Sequence, residues 1–227
     1  MREIVLDTET TGLDPMNGDR IVDIGCVELI NHIPTGRTYQ QYINPHRSMS
    51  EEVIKVHGLT EEFLSDKPVF EQIADEFLDF IGDDSVLVIH NAPFDLKFLN
   101  AELGWAERPS LNNHAVVDTL LMARKKFPGA RVNLDDLCKR FNIDNSSRSI
   151  HGALLDSQLL VDVYVELLGG KEPEFLTKKS EHHVAVINTE SKPKTFHPAR
   201  SFPISDLEEQ AHVAFLQEIK NNFWEEA

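Results

Sequence analysis

The chain has 227 residues, of which 41% are hydrophobic and 26% charged, enough for one domain with an appendage or for two small domains. Its formal net charge of −16 argues against a basic nucleic-acid surface, unless cations bridge its acids to phosphate or a partner supplies the contact. The two distant cysteines, Cys26 and Cys138, favour a reducing cytoplasm, and the absence of a visible signal peptide or membrane-length apolar run predicts no membrane association.

The apolar pattern of the first 170 residues predicts strands and helices. Strand-like runs lie at residues 4–7, 21–29 and 38–43. A helix with apolar residues at helical spacing then lies between Pro68 and Gly82, and a strand follows at 86–90. Further helices are predicted at residues 94–103, 120–126, 134–141 and 153–168. Strands that come first and then alternate with helices predict an α/β fold with a mixed sheet flanked by helices.

Composition changes after Gly169 and Gly170. Residues 171–200 combine three prolines with scattered charge, which predicts a flexible linker between a domain of residues 1–170 and a tail of residues 201–227. Ser205 and Glu208 form a capping-box pattern that begins a helix in the tail. A lone helix cannot bury the apolar residues in and before this tail, so we expect a partner to cover them: Phe196, Phe202, Ile204, Leu207, Ala211, Ala214, Phe215, Ile219, Phe223 and Trp224.

Two acids stand at the end of the first predicted strand. Alternation along a strand places Asp7 and Glu9 on the same face as Val5. Two carboxylates this close repel each other unless a positive group lies between them, and a metal ion is the usual one. Solvation at an exposed strand end is the alternative for this pair alone.

Two further acids lie on the apolar stripes of helices. Asp95 and Asp156 share these stripes with large apolar residues, which are Phe98, Leu99 and Leu103 in one helix and Leu160, Val163, Tyr164 and Leu167 in the other. Helix capping would also favour Asp95, although capping does not require an acid to face inward. His151 precedes Asp156 by five residues, which makes it a candidate proton acceptor rather than only a structural histidine.

Together, the four inward carboxylates would be costly if they were unpaired. They form an all-oxygen site that suits Mg²⁺ or Mn²⁺ better than zinc. Such sites commonly hold two ions roughly 3.5–4 Å apart and drive in-line displacement at phosphorus. His151 could then deprotonate the attacking water. The acidic charge is thereby compatible with a nucleic-acid substrate, because ions would contact the phosphate.

The order, spacing and context of these five residues resemble the DEDD exonuclease superfamily in its histidine-bearing branch. The match is closer to the epsilon family, the proofreading subunits of bacterial DNA polymerase III. It covers nearly all of residues 1–170, is poor over 171–200 and is moderate over the tail. The segments that carry it are Val56-His57-Gly58-Leu59, Asp66-Lys67-Pro68, Val88-Ile89-His90-Asn91-Ala92, Ala123-Arg124-Lys125-Lys126-Phe127-Pro128-Gly129 and Ile143-Asp144-Asn145-Ser146. The resemblance implies a ribonuclease H-like fold and removal of mispaired nucleotides from the 3′ end of DNA.

The resemblance also implies a role for each site residue. Asp7 would bridge two divalent cations, Glu9 and Asp156 would complete one ion site, and Asp95 would hold the second ion. His151 would be the general base. Substrate contacts are implied at four further positions, with the histidine beside the 3′ end: Thr10, Thr11, Glu52 and His57.

Two other features of the domain carry expectations. Asp118 matches a family acid near the site, and we expect it to support the site rather than to bind an ion. The dense basic cluster of this acidic domain predicts either contact with the DNA backbone or a helix C-terminus with cations. Its members are Arg124, Lys125, Lys126 and Arg131.

The resemblance implies single-stranded or frayed 3′ ends of DNA as substrate and the polymerase catalytic (alpha) subunit as the partner of the tail. The sliding clamp and a small theta-like accessory subunit are further candidate partners. Residues 172–176 vaguely resemble a clamp-binding peptide but lack its expected glutamine, so a plain linker is the alternative. An exoribonuclease or oligonucleotide-trimming relative would share the five site residues, whereas a non-catalytic scaffold would not need them.

Overall fold

The computed structural model describes residues 1–146, 148, 150–170 and 204–218, and the chain divides into two compact units, residues 1–177 and 178–227. The predicted linker of residues 171–200 lies outside the described residues. So do five of the apolar residues in and before the tail: Phe196, Phe202, Ile219, Phe223 and Trp224. Among the described helices, none is both long and apolar enough to cross a membrane.

Five strands form one mixed sheet in the order β3-β2-β1-β4-β5. They are β1 (Arg2–Thr10), β2 (Ile21–Ile30), β3 (Ile33–Tyr42), β4 (Val86–Ile89) and β5 (Ala115–Asp118). β1 pairs antiparallel with β2 and parallel with β4, which confirms the predicted mixed sheet. β3 starts earlier than the predicted residue 38, because Asn31 and His32 take positive φ angles of 50° and 67° and join it to β2 in a tight turn.

The described residues contain eight α-helices. They are α1 (Glu51–His57), α2 (Glu61–Leu64), α3 (Phe70–Ile81), α4 (Ala92–Trp105), α5 (Thr119–Lys126), α6 (Leu134–Phe141), α7 (Ala153–Leu168) and α8 (Asp206–Glu218). The predicted bounds of α6 and α7 are confirmed residue for residue. Three short elements were not predicted: α1, α2 and β5, which have seven, four and four residues. Elements this short carry too few apolar positions to show a period.

Side-chain caps set the start of several of these helices. Ser50 accepts a hydrogen bond from the amide of Val53 at the start of α1. In α8 the predicted capping box is confirmed, because the Ser205 amide donates to the Glu208 carboxylate at 3.0 Å and the Glu208 amide donates to the Ser205 hydroxyl at 3.3 Å.

The sheet separates two apolar layers. On one face, Ile4 and Leu6 of β1 pack against buried residues of α3 and α4. On the other face, Val5 and Val88 pack against α5, α6 and α7. β1 and β4 are parallel, so both end at the same edge of the sheet, where ligand sites of such sheets form. The acids at the end of β1 therefore lie close to the start of α4.

Candidate active site

All five residues predicted to carry the chemistry line one pocket at this edge of the sheet: Asp7, Glu9, Asp95, His151 and Asp156. They come from β1, α4, the segment before α7, and α7 itself. Phe94, Leu134 and Leu160 give the pocket apolar walls, and Asn133 adds an amide. The sequence thus identified groups that the fold brings together across almost 150 residues of chain.

The two acids of β1 lie in an environment that disfavours negative charge. Burial raises the pKa of Glu9 to about 8, and the charges of Asp156 and Asp23 add to the rise. Burial also raises the pKa of Asp7, together with the charges of Asp95, Glu9 and Asp156. Burial and neighbouring negative charges both favour the protonated form of these two acids, and a bound cation would favour the ionised form.

Asp95 occupies the first turn of α4 and is only 3% exposed. Thr8 of β1 donates to its Oδ1 atom twice, from the backbone amide at 3.1 Å and from the hydroxyl at 2.7 Å. Burial raises the pKa of Asp95 to about 7, against the opposing effect of the Thr8 hydrogen bonds. Asn91 takes a left-handed φ of 71°, which lets α4 begin almost directly after β4.

Asp156 reaches the pocket because the start of α7 lies directly against β2. A Cβ atom at Gly25 would stand 2.1 Å from the backbone nitrogen of Leu154, so only glycine permits this approach. The Ser157 hydroxyl donates to the Gly25 carbonyl at 2.9 Å and fixes the same contact. A glycine in β2 thereby determines where a carboxylate of α7 lies.

Asp23 of β2 is a further buried acid that the sequence analysis missed. Its Oδ2 atom accepts from the amide of Ala153 at 3.1 Å and so caps α7, whose N-cap residue, Gly152, has no side chain. Burial raises the pKa of Asp23 to about 7. Asp23 lies opposite Glu9 in the register of β1 and β2. An acid inside an apolar strand between Val22 and Ile24 was the available signal.

Arg148 brings a positive charge into the pocket, and the sequence analysis missed it as well. Its Nε and Nη2 atoms donate to the two oxygens of Asp156, both at 2.6 Å. Its Nη1 atom lies 2.8 Å from Asp135 of α6, and the arginine side chain is only 6% exposed. Nothing in the local pattern of residues 143–152 distinguishes this arginine from a solvated one.

His151 is more exposed than Asp156, with 45% of its side chain accessible to solvent against 4%. Its Nδ1 atom lies 3.6 Å from Asp156 Oδ2 and 3.1 Å from Arg148 Nη2. Partial burial and the charge of Arg148 lower the pKa of His151. The imidazole is therefore neutral at neutral pH and able to accept a proton.

The donor set fits a divalent cation. Glu9, His151 and Asp156 each offer one ligand atom, and these atoms lie within 4.8 Å of one another. Asp7 and Asp95 line the same pocket and enrich it in carboxylate oxygens. Hard divalent ions prefer oxygen donors, and the raised carboxylate pKa values indicate a need for positive charge.

Comparison with known proteins agrees with this geometry. A family model described as Exonuclease matches residues 4–164. The DNA polymerase III subunit epsilon of Rickettsia felis is 49% identical over 223 residues, which are 96% of this chain and 97% of that protein. That of Rickettsia conorii is 56% identical over 191 residues, 83% of this chain and 81% of the relative. The chain belongs to the epsilon family of DNA polymerase III. As the sequence predicted, it is a 3′–5′ exonuclease of this family, whose members typically bind divalent metal ions.

Solved structures share the fold of this epsilon-family domain. Exonuclease X in complex with 5′ overhanging duplex DNA superposes with a TM-score of 0.58 at 24% identity, over 73% of this chain and 90% of that one. The nuclease domain of 3′hExo, a DEDDh family member bound to rAMP, gives a TM-score of 0.62 at 21% identity, over 74% and 91%. The predicted ribonuclease H-like arrangement is confirmed at the level of fold.

The two threonines predicted to contact substrate in this epsilon-family chain follow Glu9 but do not line the carboxylate pocket. Thr10 donates its hydroxyl to the Gly12 carbonyl at 2.6 Å. The Thr11 hydroxyl accepts from the Arg20 amide at 3.0 Å. Both hydroxyls thus shape the loop between β1 and β2, and any substrate contact they make has to compete with these bonds.

Glu52 and His57, the other two predicted contacts, belong to α1. Glu52 is exposed, whereas His57 is buried, and neither lines the carboxylate pocket. His57 Nδ1 accepts from the Leu59 amide at 3.0 Å, and its buried Nε2 atom has no hydrogen-bond partner among the described residues. Burial and the neighbouring His151 lower the pKa of His57.

Asp118 caps α5 by accepting from the amides of Leu120 and Leu121 at 2.9 and 3.2 Å. Its Oδ1 atom also accepts from the Asn91 amide at 3.3 Å, at the start of α4. This acid therefore also contacts the residue that precedes the helix carrying Asp95, and its expected supporting role stays a prediction.

In the basic cluster, Lys126 has a structural role because it donates to the carbonyls of Glu166 and Leu167 at the end of α7. Its other members, Arg124, Lys125 and Arg131, are exposed, so contact with a DNA backbone stays a prediction for these three residues.

Proposed function

We propose that this chain excises mispaired nucleotides from the 3′ end of a DNA primer, as the proofreading subunit of DNA polymerase III. The observation that carries the proposal is the convergence of four carboxylates beside His151 in one pocket. The match to relatives named as epsilon subunits, which extends over 97% of the Rickettsia felis protein, supports it. Such a subunit would work at the replication fork, in the cytoplasm.

The carboxylates would hold two divalent cations, Mg²⁺ or Mn²⁺. Asp7 would bridge both ions, Glu9 and Asp156 would complete one ion site, and Asp95 would hold the other ion. When bound, the ions would supply polarisation of the scissile phosphate and activation of the attacking water. The raised pKa values of Glu9 and Asp95 support this assignment, because a cation offsets the cost of ionising a buried acid. The two hydrogen bonds from Thr8 would keep the Asp95 carboxylate in one orientation both with and without the ion.

His151 would act as the general base of the reaction. Its half-exposed side chain lines the pocket, where an incoming nucleotide could reach it. Its lowered pKa leaves the ring unprotonated at neutral pH, the state in which a base is active. The His151 amide donates to the Val56 carbonyl of α1 at 3.1 Å, which anchors the backbone of the base.

The terminal nucleotide would lie between the pocket and α1. Glu52 and His57 would contact this nucleotide. The Nε2 atom of His57, which has no hydrogen-bond partner in the described part of the chain, would lie beside the 3′ end. Thr10 and Thr11 would contribute backbone contacts near the terminal sugar. A paired terminal base has to leave its stack to reach this pocket, so single-stranded or frayed ends should be the preferred substrates.

The tail of residues 201–227 would bind the polymerase catalytic (alpha) subunit. In α8, Leu207 and Phe215 are 79% and 59% exposed, and such apolar residues suit the groove of a partner. The match to the Rickettsia felis relative covers 96% of this chain, so it must include part of the region beyond the exonuclease domain. The clamp segment of residues 172–176 lies outside the described residues, and both the clamp and a theta-like subunit stay predicted partners.

Degradation of 3′-labelled DNA with a paired or mispaired end, and of RNA of the same sequence, tests this proposal. We expect Mg²⁺-dependent release of nucleoside 5′-monophosphates, faster from mispaired DNA and abolished by EDTA. Asp7→Asn should be inactive, whereas Asp84→Asn, which changes an exposed acid outside the pocket, should be as active as the natural chain. Faster degradation of RNA would favour an oligonucleotide-trimming enzyme, and no degradation with any divalent ion would favour a scaffold.

A further inference from the structure

Arg148 already occupies both oxygens of a carboxylate that the proposed function assigns to an ion. Its Nε and Nη2 atoms donate to Asp156 Oδ1 and Oδ2 at 2.6 Å each. With the arginine side chain 6% exposed and the aspartate side chain 4% exposed, water competes little for this pair. A guanidinium held in this two-bond arrangement is a strong partner for a carboxylate. A divalent ion that binds Asp156 therefore has to compete with Arg148.

Arg148 also has a second acidic partner outside the group of four. Its Nη1 atom lies 2.8 Å from Asp135 of α6, which is 45% exposed. Asn145 donates to the other oxygen of Asp135 at 2.9 Å and so holds this acid in place. The guanidinium can keep this contact when it gives up Asp156.

The position of Arg148 in the chain connects this pair to the general base. Arg148 precedes His151 by three residues, and its Nη2 atom lies 3.1 Å from the imidazole Nδ1. The arginine thus ties one short segment to both α6 and α7. A change in its contact with Asp156 would act directly on the segment that carries the base.

We propose that Arg148 is an internal counter-cation that holds Asp156 in the ion-free protein and withdraws to Asp135 when a divalent ion binds. This inference rests on the proposed function, because it takes Asp156 to be an ion ligand. It makes Arg148 a positioning residue that couples ion loading to the placement of His151. Arg148 also lines the same pocket as Asp7 and Glu9, as a counter-cation of the whole group would.

Mn²⁺ binding to the full chain, followed by electron paramagnetic resonance of the free ion, tests the competition. Arg148→Gln removes the competing charge, so the tightest Mn²⁺ should bind about tenfold more strongly, the order expected for one charged hydrogen-bonded pair. Arg148→Lys keeps the charge without the two-bond contact and should give a smaller gain. Arg108→Gln is the matched control, because Arg108 contacts both oxygens of Asp75 at 2.5 and 2.8 Å, outside the pocket. Its Mn²⁺ affinity should equal that of the natural chain.

Equal or weaker Mn²⁺ binding by Arg148→Gln would overturn the inference and leave the proposed function intact. A natural chain that binds no Mn²⁺ would instead overturn the proposed function. If Arg148→Gln does not fold, the natural chain provides the test through the NMR signal of the Arg148 Nε–H group, assigned by its loss in Arg148→Lys. This signal should shift as Mg²⁺ saturates the site, and an unchanged signal at saturation would contradict the withdrawal of Arg148.

Discussion

Replacement of Glu9 by glutamine should stabilise the ion-free protein, and the gain should grow with pH. The change keeps the shape of a side chain that is only 8% exposed and removes its charge. Burial and the charges of Asp156 and Asp23 raise the pKa of Glu9 from 4.5 to about 8. The folded chain therefore holds this proton at pH values at which the unfolded chain has released it.

The sign and size of the effect follow from this difference. For an acid whose pKa is raised by folding, the contribution to stability is full below the unfolded pKa of 4.5 and is lost as the pH rises through about 8. At about 1.4 kcal/mol per pKa unit, the ionised glutamate destabilises the folded state by up to about 5 kcal/mol. Glutamine carries no such cost. The free energy of unfolding of Glu9→Gln should therefore be close to that of the natural chain at about pH 5 and several kcal/mol higher at about pH 9.

Urea unfolding in EDTA, with both proteins measured at both pH values, gives the required double difference. Effects of titrating groups that do not interact with Glu9 cancel when the variant is compared with the natural chain at each pH. Asp7, whose pKa is raised by burial and also by the charge of Glu9, adds to the gain at high pH. Glu71→Gln, which changes an exposed glutamate of α3, is the matched control and should show no growth with pH. If Glu9→Gln shifts stability by the same amount at both pH values, Glu9 does not have a raised pKa and the electrostatic reasoning is refuted.

Three further predictions test other parts of the molecule. His151→Ala should lower turnover by about 10²–10⁴-fold, the usual contribution of a general base, while calorimetry should still detect binding of the ions. Asp7→Ala should lose both activity and tight ion binding. Equal loss of ion binding in the two variants would contradict these roles. Gly25→Ala places a Cβ atom 2.1 Å from a backbone nitrogen of α7 and should destabilise the chain by about 1–3 kcal/mol or more in urea unfolding. Gly104→Ala, whose Cβ atom would meet no described atom within 4 Å apart from the adjacent backbone of its own helix, should not. Truncation after Gly170 should leave a stable, active nuclease that no longer co-purifies with the polymerase catalytic subunit, and an unfolded product or retained binding would show that the tail has another role.

The reacting groups of the site could be predicted from the sequence because they are charged residues within otherwise apolar patterns. Asp95 and Asp156 lie on apolar helix stripes, and Asp7 and Glu9 lie at the end of an apolar strand. Periodicity of 3.6 or 2 residues is a local property, so it indicates the buried face of an element before any partner is known. The same local rule predicted α6 and α7 at their observed bounds.

Only the tertiary structure decided which groups surround these acids. Asp23 caps a helix 130 residues away, and Gly25 matters because Leu154 of that helix approaches its Cα atom. Arg148 is an ordinary arginine in the sequence, and it becomes the partner of Asp156 only when α6, α7 and its own segment meet. Such pairings depend on how the sheet and helices pack, which no local period encodes. The sequence by itself therefore determined the reacting groups and the faces that bury them, whereas long-range packing decided their counter-charge, their caps and their exact separation.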